Sequence, residues 1–210
     1  MFQFVNVDPK LADGVEKELF SIKASWQYSP RTTLFYELNA NEDEKKIIDE
    51  IRQKYPMIDT QKFSDTFFYL NENVHPDKKP KFIETRLNKK SRYNVDFPNL
   101  AKLLDHLQSN YIPKEYCVKR FFANMQTIRP TWTLNQVHPD FRHSSFITIL
   151  YYVNDSDGDT LFFEGSECIN RTTPVKGTAV VYPSKTLHAG STPTKHDTRV
   201  VINMVFGPKP

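Results

Sequence analysis

Along the first hundred residues, apolar positions recur with a helical spacing. Leu11, Val15, Leu19 and Ile22 share one face of residues 9–24, Asp8 is placed to cap that helix, and Pro9 suits its first position. Residues 42–54 open with acids that suit the positive end of a helix dipole and stop before Pro56. Residues 98–109 carry Leu100, Leu103, Leu104 and Leu107 as an apolar stripe, predicting a third helix. Between them, residues 63–70 read as a strand. Residues 71–92 read as a charged loop with a short embedded strand.

From residue 116 onward the helical period is gone. Strand-length runs occupy 118–128, 145–153, 160–163, 178–182 and 198–206, separated by turn-forming segments such as Asn154-Asp155, Asp157-Gly158 and Gly165. Helices first and short strands second predict an α+β fold, with the helices packed on one sheet face of a sandwich or barrel. The last strand supports a covered sheet. Val200, Ile202, Met204 and Phe206 form one apolar face, while Arg199, Val201, Asn203 and Val205 form the other. Two polar residues on an otherwise buried face need a reason, because an unpaired buried charge is costly.

Composition narrows the class. A chain of 210 residues suits one domain, and 39% apolar with 25% charged residues suits a globular one. The 16 Phe and 10 Tyr beside 6 Gly favour well-packed sheet. No apolar run approaches the roughly 20 residues that span a bilayer, and the N-terminal stretch lacks a signal-peptide pattern. Cys117 and Cys168 are isolated, as expected of reduced thiols in a cytoplasmic protein. Net charge is +3, and residues 71–92 set seven cations against three acids. That segment could face an acidic substrate or nucleic acid, although such runs are more often solvated loops.

The candidate chemistry lies among six histidines. His138-Pro139-Asp140 falls in a turn between two β-runs, and His188 falls between the run 178–182 and the last strand. Side chains two apart on an extended segment point the same way, so His138 and Asp140 can converge on one ion with His188 as third ligand. Two imidazoles and a carboxylate on one side of an octahedron describe the facial site of non-haem Fe(II) oxygenases. A dianionic 2-oxoglutarate chelating that ion needs a cation for its distal carboxylate. Arg199 suits it, and Tyr152 can add a hydroxyl donor. The tripeptide alone carries no weight, because His75-Pro76-Asp77 repeats it inside the charged loop. An isolated His188 is more often a core or surface histidine, and an isolated Arg199 a strand-edge charge. What singles them out is their order along alternating strands and turns. His143 and His196, near these residues in sequence, read as exposed loop histidines or as groups supporting the ligands.

The stretch HPDFRHSSFITILYYVNDSDGDTLFFEG resembles the core of the 2-oxoglutarate/Fe(II)-dependent dioxygenases, in their prolyl-hydroxylase-like branch. The features in question are Tyr151-Tyr152-Val153-Asn154 after H-x-D, then Gly158-Asp159-Thr160-Leu161-Phe162. Pro174, Gly177, His188 and Arg199 resemble the family's closing pattern. The resemblance implies one double-stranded β-helix (jelly-roll) domain over 1–210, with 1–115 as helical buttress and first strands and 116–206 as core. It implies His138, Asp140 and His188 as iron ligands, with Arg199 and Tyr152 on 2-oxoglutarate. The expected reaction uses Fe(II), 2-oxoglutarate and O₂ to hydroxylate a peptidyl, prolyl-type side chain, releasing succinate and CO₂. The same chemistry on a small molecule or nucleic acid, and a non-catalytic ligand-binding jelly-roll, are the alternatives. The chain departs from the pattern at three places. Asn124 and Gln126 stand where an aromatic often meets the cofactor, the loop 128–136 is long and brings Trp132 towards the site mouth, and Gly158-Asp159 replaces Gly-Gly, which should matter only to the turn.

Overall fold

The strand 198–206 expected from sequence extends over Thr198–Pro208 (β11) and lies at the centre of the larger of two sheets. The computed structural model describes residues 2–21, 24, 26–29, 40–57, 62–70, 82–83 and 97–209. Almost all of the basic stretch 71–92, with His75-Pro76-Asp77, lies outside these residues. The remaining strands are β1 (Gln3–Asn6), β2 (Gln27–Ser29), β3 (Lys62–Leu70), β4 (Phe82–Ile83), β5 (Tyr116–Thr127), β6 (Ile147–Tyr152), β7 (Thr160–Glu164), β8 (Glu167–Thr172), β9 (Thr178–Pro183) and β10 (Leu187–Gly190). The major sheet runs β1-β9-β6-β11-β5-β3-β2, with β4 on β3, and the minor sheet runs β10-β7-β8. All of these pairings are antiparallel. The two sheets form the double-stranded β-helix that the sequence resemblance implies.

Helix α1 (Pro9–Leu19) starts as expected, with the Asp8 carboxylate accepting from the N–H groups of Lys10 and Leu11. It ends earlier than the apolar period suggests, because other groups take its last carbonyls. The Ser21 hydroxyl donates to Glu18 (2.6 Å) and the Trp26 indole to Leu19 (3.1 Å). Helix α2 (Glu42–Lys54) opens with a capping box between Asn41 and Glu44. Helix α3 (Pro98–Tyr111) has no capping side chain of its own. Glu18 of α1 does that work, accepting from the N–H groups of Asn99 (2.8 Å) and Leu100 (2.9 Å).

The alternation on β11 sorts the interior into two compartments. Val200, Ile202, Met204 and Phe206 pack with Val15 and Leu19 of α1 and Leu100, Leu103 and Leu107 of α3. On the opposite face, Val201 joins Leu150, Tyr152, Phe162, Val180 and Tyr182 inside the barrel. The adjacent tyrosines on β6 therefore point oppositely, Tyr151 towards the helices and Tyr152 into the barrel. Helix α2 goes elsewhere. Its Ile51 packs with Leu161, Phe163 and Ala189 on the outer face of the minor sheet, so the helices buttress both sheets. Among the described residues no helix is long and apolar enough to cross a membrane.

One carboxylate ties the two loops at the end of β11 together. Asp157 accepts from the hydroxyl and N–H of Thr194, the N–H of Lys195, and the N–H of His196. Burial alone would raise its pKa, but these bonds and the His196 ring hold the carboxyl well below the usual range. A carboxyl depressed on folding contributes stability above its unfolded pKa of about 3.9 and loses it as pH falls through the folded value. The stability difference between the natural protein and Asp157→Asn should therefore be constant near neutrality and shrink below about pH 4, as measured by urea unfolding. Glu18→Ala should cost about 1–2 kcal/mol in the same assay by uncapping α3, with Glu18→Gln losing less.

Candidate metal and oxyacid site

Three backbone hydrogen bonds create the site's geometry. The N–H of His138 donates to the carbonyl of His188 and the reverse bond is also made, each at 3.0 Å, while Asn135 N–H donates to Gly190 at 2.9 Å. Residues 134–138 thus run beside β10 as an informal fourth strand of the minor sheet. Neither segment stood out in sequence, because each is too short to show a period. The reciprocal pair sets the two imidazoles side by side, their ring centroids 4.9 Å apart.

Each imidazole donates through Nδ1 to the carbonyl two residues before it. His138 reaches Gln136 at 2.9 Å and His188 reaches Thr186 at 3.0 Å. With the proton on Nδ1, each Nε2 carries the lone pair that a metal would take. Asp140 completes the group, and the ligand atoms of His138, Asp140 and His188 all lie within 4.8 Å of one another. Two imidazoles and one carboxylate converging at this distance fit a divalent cation of the Fe(II) type.

The carboxylate of Asp140 is almost fully buried, and three strands hold it. Arg120 on β5 makes an ion pair with Oδ1, and Asn203 on β11 donates to the same oxygen at 2.9 Å. The Tyr182 hydroxyl on β9 donates to Oδ2 at 2.9 Å and lies 3.3 Å from His188 Nε2. Burial would raise the Asp140 pKa, but Arg120, His188, His138 and the Tyr182 bond together hold it well below the carboxylate range. Arg120 and Tyr182 are residues that sequence reading missed. The signal for Arg120 was present: it shares the inward face of β5 with Phe122, Asn124 and Gln126, which pair with Asn203, Val201 and Arg199.

Arg199 lies further along the same interior. It is 4% exposed, and among the described residues every hydrogen-bond acceptor it uses is neutral: Gly158 O at 2.6 Å, Thr160 Oγ1 at 2.7 Å and Gln126 Oε1 at 3.3 Å. Burial pulls its pKa down, so this charge is held at a cost. Two glycines make room for it. A Cβ on Gly190 would stand 2.9 Å from the guanidinium carbon, and one on Gly158 would stand 2.7 Å from Arg199 Cδ. Tyr152 donates to the same Thr160 oxygen at 2.9 Å, and burial pushes its phenol up to about 12. The Asp159 carboxylate acts on Arg199 only through space, and a buried cation whose described acceptors are all neutral fits an oxyacid ligand.

The outlying candidates separate. His143 and His196 are exposed, bonded to Ser145 and Asp157 respectively, and neither meets the ligand triad. Asn124 faces the barrel with a buried Oδ1 that has no partner among the described residues. Trp132 is not at the mouth. It packs with the cluster outside the minor sheet, its ring 6.5 Å from Tyr55 and 5.9 Å from the Arg171 guanidinium. Asp159 does more than complete a turn, because it is buried and pairs with Arg171 across β7 and β8.

Residues 132–207 match the 2OG-Fe(II) oxygenase superfamily. No curated protein matches the chain. Among solved structures, AviO1 from Streptomyces viridochromogenes Tue57 is similar at 13% identity and a TM-score of 0.52, over 100% of this chain and 91% of that one. An oxidoreductase of the 2OG-Fe(II) oxygenase family from Burkholderia pseudomallei is similar at 12% identity and a TM-score of 0.50, over 94% and 90%. A full-length Neurospora crassa protein, solved in complex with alpha-KG and thymine, is similar at 14% identity and a TM-score of 0.51, over 100% and 76%. The segment that carries the triad and Arg199 thus matches the 2OG-Fe(II) oxygenase superfamily, and the chain has the fold of its solved members.

Proposed function

We propose that this chain is an Fe(II)- and 2-oxoglutarate-dependent dioxygenase that hydroxylates a peptidyl, prolyl-type side chain, releasing succinate and CO₂. The observation that carries the oxygenase reading is Arg199, a buried cation whose described acceptors are all neutral, in the same barrel interior as the His138, Asp140 and His188 triad. In this reading the triad holds Fe(II). Arg199 grips the distal carboxylate of 2-oxoglutarate, and Tyr152 supports that grip through the shared Thr160 hydroxyl. The bound ion, with its cosubstrate and O₂, supplies the oxidising chemistry; the barrel orients the ligands and keeps water out. The single domain over 1–210 and a cytoplasmic setting belong to the same proposal, the latter supported by the two free thiols Cys117 and Cys168.

The prolyl-type substrate rests on the sequence resemblance around Tyr151-Tyr152-Val153-Asn154. A small-molecule or nucleobase substrate is the second reading, favoured by the thymine held in the similar Neurospora protein. Mass spectrometry of peptides, nucleosides and metabolites after aerobic incubation separates them by which gains one oxygen.

Anaerobic protein given Fe(II) and 2-oxoglutarate should develop a weak charge-transfer band in the visible. No band, with no succinate formed in air, sinks the oxygenase reading. Gly190→Ala drives a methyl group into the Arg199 guanidinium, so it should weaken 2-oxoglutarate at least about tenfold, the loss of one charge-assisted contact. Its Fe(II) affinity should change far less, because the triad is untouched. Equal losses of both ligands would argue against separate roles for the two ends of the site.

A further inference from the structure

If the triad holds Fe(II), as proposed, the groups behind Asp140 decide how its carboxylate binds. Arg120, Asn203 and Asp140 close a triangle. Arg120 Nη2 pairs with Asp140 Oδ1 and donates to Asn203 Oδ1 at 3.0 Å, while Asn203 Nδ2 donates to Asp140 Oδ1 at 2.9 Å. Both donors converge on one oxygen of the carboxylate. The other oxygen, Oδ2, accepts from the Tyr182 hydroxyl at 2.9 Å and faces the triad, 3.7 Å from His188 Nε2. The guanidinium is itself fixed, its carbon 4.9 Å from the Phe122 ring and 5.5 Å from the Phe141 ring, with a further bond from Nη1 to the Asp140 carbonyl at 3.4 Å.

We infer that Arg120 is a positioning residue for the metal: with Asn203 it holds Asp140 Oδ1 off the ion, so the carboxylate offers Oδ2 alone. The consequence is a coordination count. A carboxylate free to rotate can chelate through both oxygens, and a facial site with a chelating carboxylate has two open positions rather than three. A bidentate cosubstrate then leaves no position for a third ligand. A guanidinium is suited to this restraint because its planar fork fixes direction as well as charge.

The restraint acts against electrostatics, which gives the test its sign. A cation beside the site repels Fe(II), so if charge alone mattered, removing Arg120 would tighten metal binding. If Arg120 positions the carboxylate, removing it weakens binding, by about 10–100-fold as for other groups that orient metal ligands.

The experiment is an anaerobic Fe(II) titration against a chromophoric chelator, using full-length natural protein, Arg120→Met and Arg120→Lys without 2-oxoglutarate. A parallel Co(II) titration is followed by visible absorption, whose intensity reports coordination number. Arg120→Met should bind Fe(II) at least tenfold more weakly and give an altered Co(II) spectrum, and Arg120→Lys should recover part of the loss. Equal or tighter binding, or an unchanged Co(II) spectrum, in a variant with natural circular dichroism, overturns the inference. Should Arg120→Met fail to fold, Asn203→Ala removes the other donor to the same oxygen. A loss of the same sign then supports the inference, and natural affinity overturns it. If the natural protein holds no metal, the metal-site reading fails, and this inference fails with it. If the natural protein gives the charge-transfer band while the variants are unchanged, only the inference fails.

Discussion

A carboxylate cannot sit inside a β-barrel uncompensated. Removing one ion from water costs several kcal/mol even after the protein relaxes, and Asp140 is almost completely removed from it. The site is built around that constraint. Three side chains from three strands reach Asp140: Arg120 from β5, Asn203 from β11 and Tyr182 from β9. Each must face the barrel, and each does so because strand alternation gives inward and outward positions in strict turn. The compensation therefore fixes the register of β5 and β9 relative to the H-x-D turn. A one-residue slip of β5 would turn Arg120 outward and bring Phe121 in, exchanging a compensated charge for a bare one.

A second charge obeys the same logic with the opposite sign. Arg199 is buried with neutral hydrogen-bond acceptors, and the backbone has been cleared for it at Gly158 and Gly190. Neither glycine has a positive φ, so conformational freedom does not explain them. The space their missing side chains leave does. The barrel thus has a cation-compensated carboxylate near one end and an anion-seeking guanidinium near the other. Gly190 stands two residues beyond His188 on β10, so the same strand face offers a ligand and then the room for the cation.

This explains what could be seen in the chain and what could not. The helix periods, the five long strand runs and the order His138, Asp140, His188, Arg199 rest on patterns confined to one segment, and those were legible. Asn203 was legible as an anomaly, a polar residue on a face otherwise destined for burial. Arg120 sat on a strand whose inward face was recognised only at Asn124 and Gln126. Its partner Asp140 is twenty residues away, and no local rule links them. Tyr182 looked like one more apolar strand residue, because its role depends on where its hydroxyl ends. Strand β10 and the segment 134–138 are four or five residues each, defined by their mutual hydrogen bonds rather than by a period. Helix α2 lies on the minor sheet because its apolar face meets Leu161, Phe163 and Ala189, three residues whose common outward direction appears only once β7 and β10 are paired.

The same dependence on pairing makes the His138 tripeptide a site. The H-P-D residues alone carry only their chemistry and a turn propensity. The backbone ladder to His188 orients each ring, and the carbonyls of Gln136 and Thr186 select the tautomer. Those carbonyls belong to the ligands' own segments, two residues before each histidine. Ring orientation and tautomer are therefore set by the extended backbone that also carries the ladder. The side-chain clamp on Asp140 is a separate device. It comes from distant strands, so the orientation of the histidine pair does not run through Arg120.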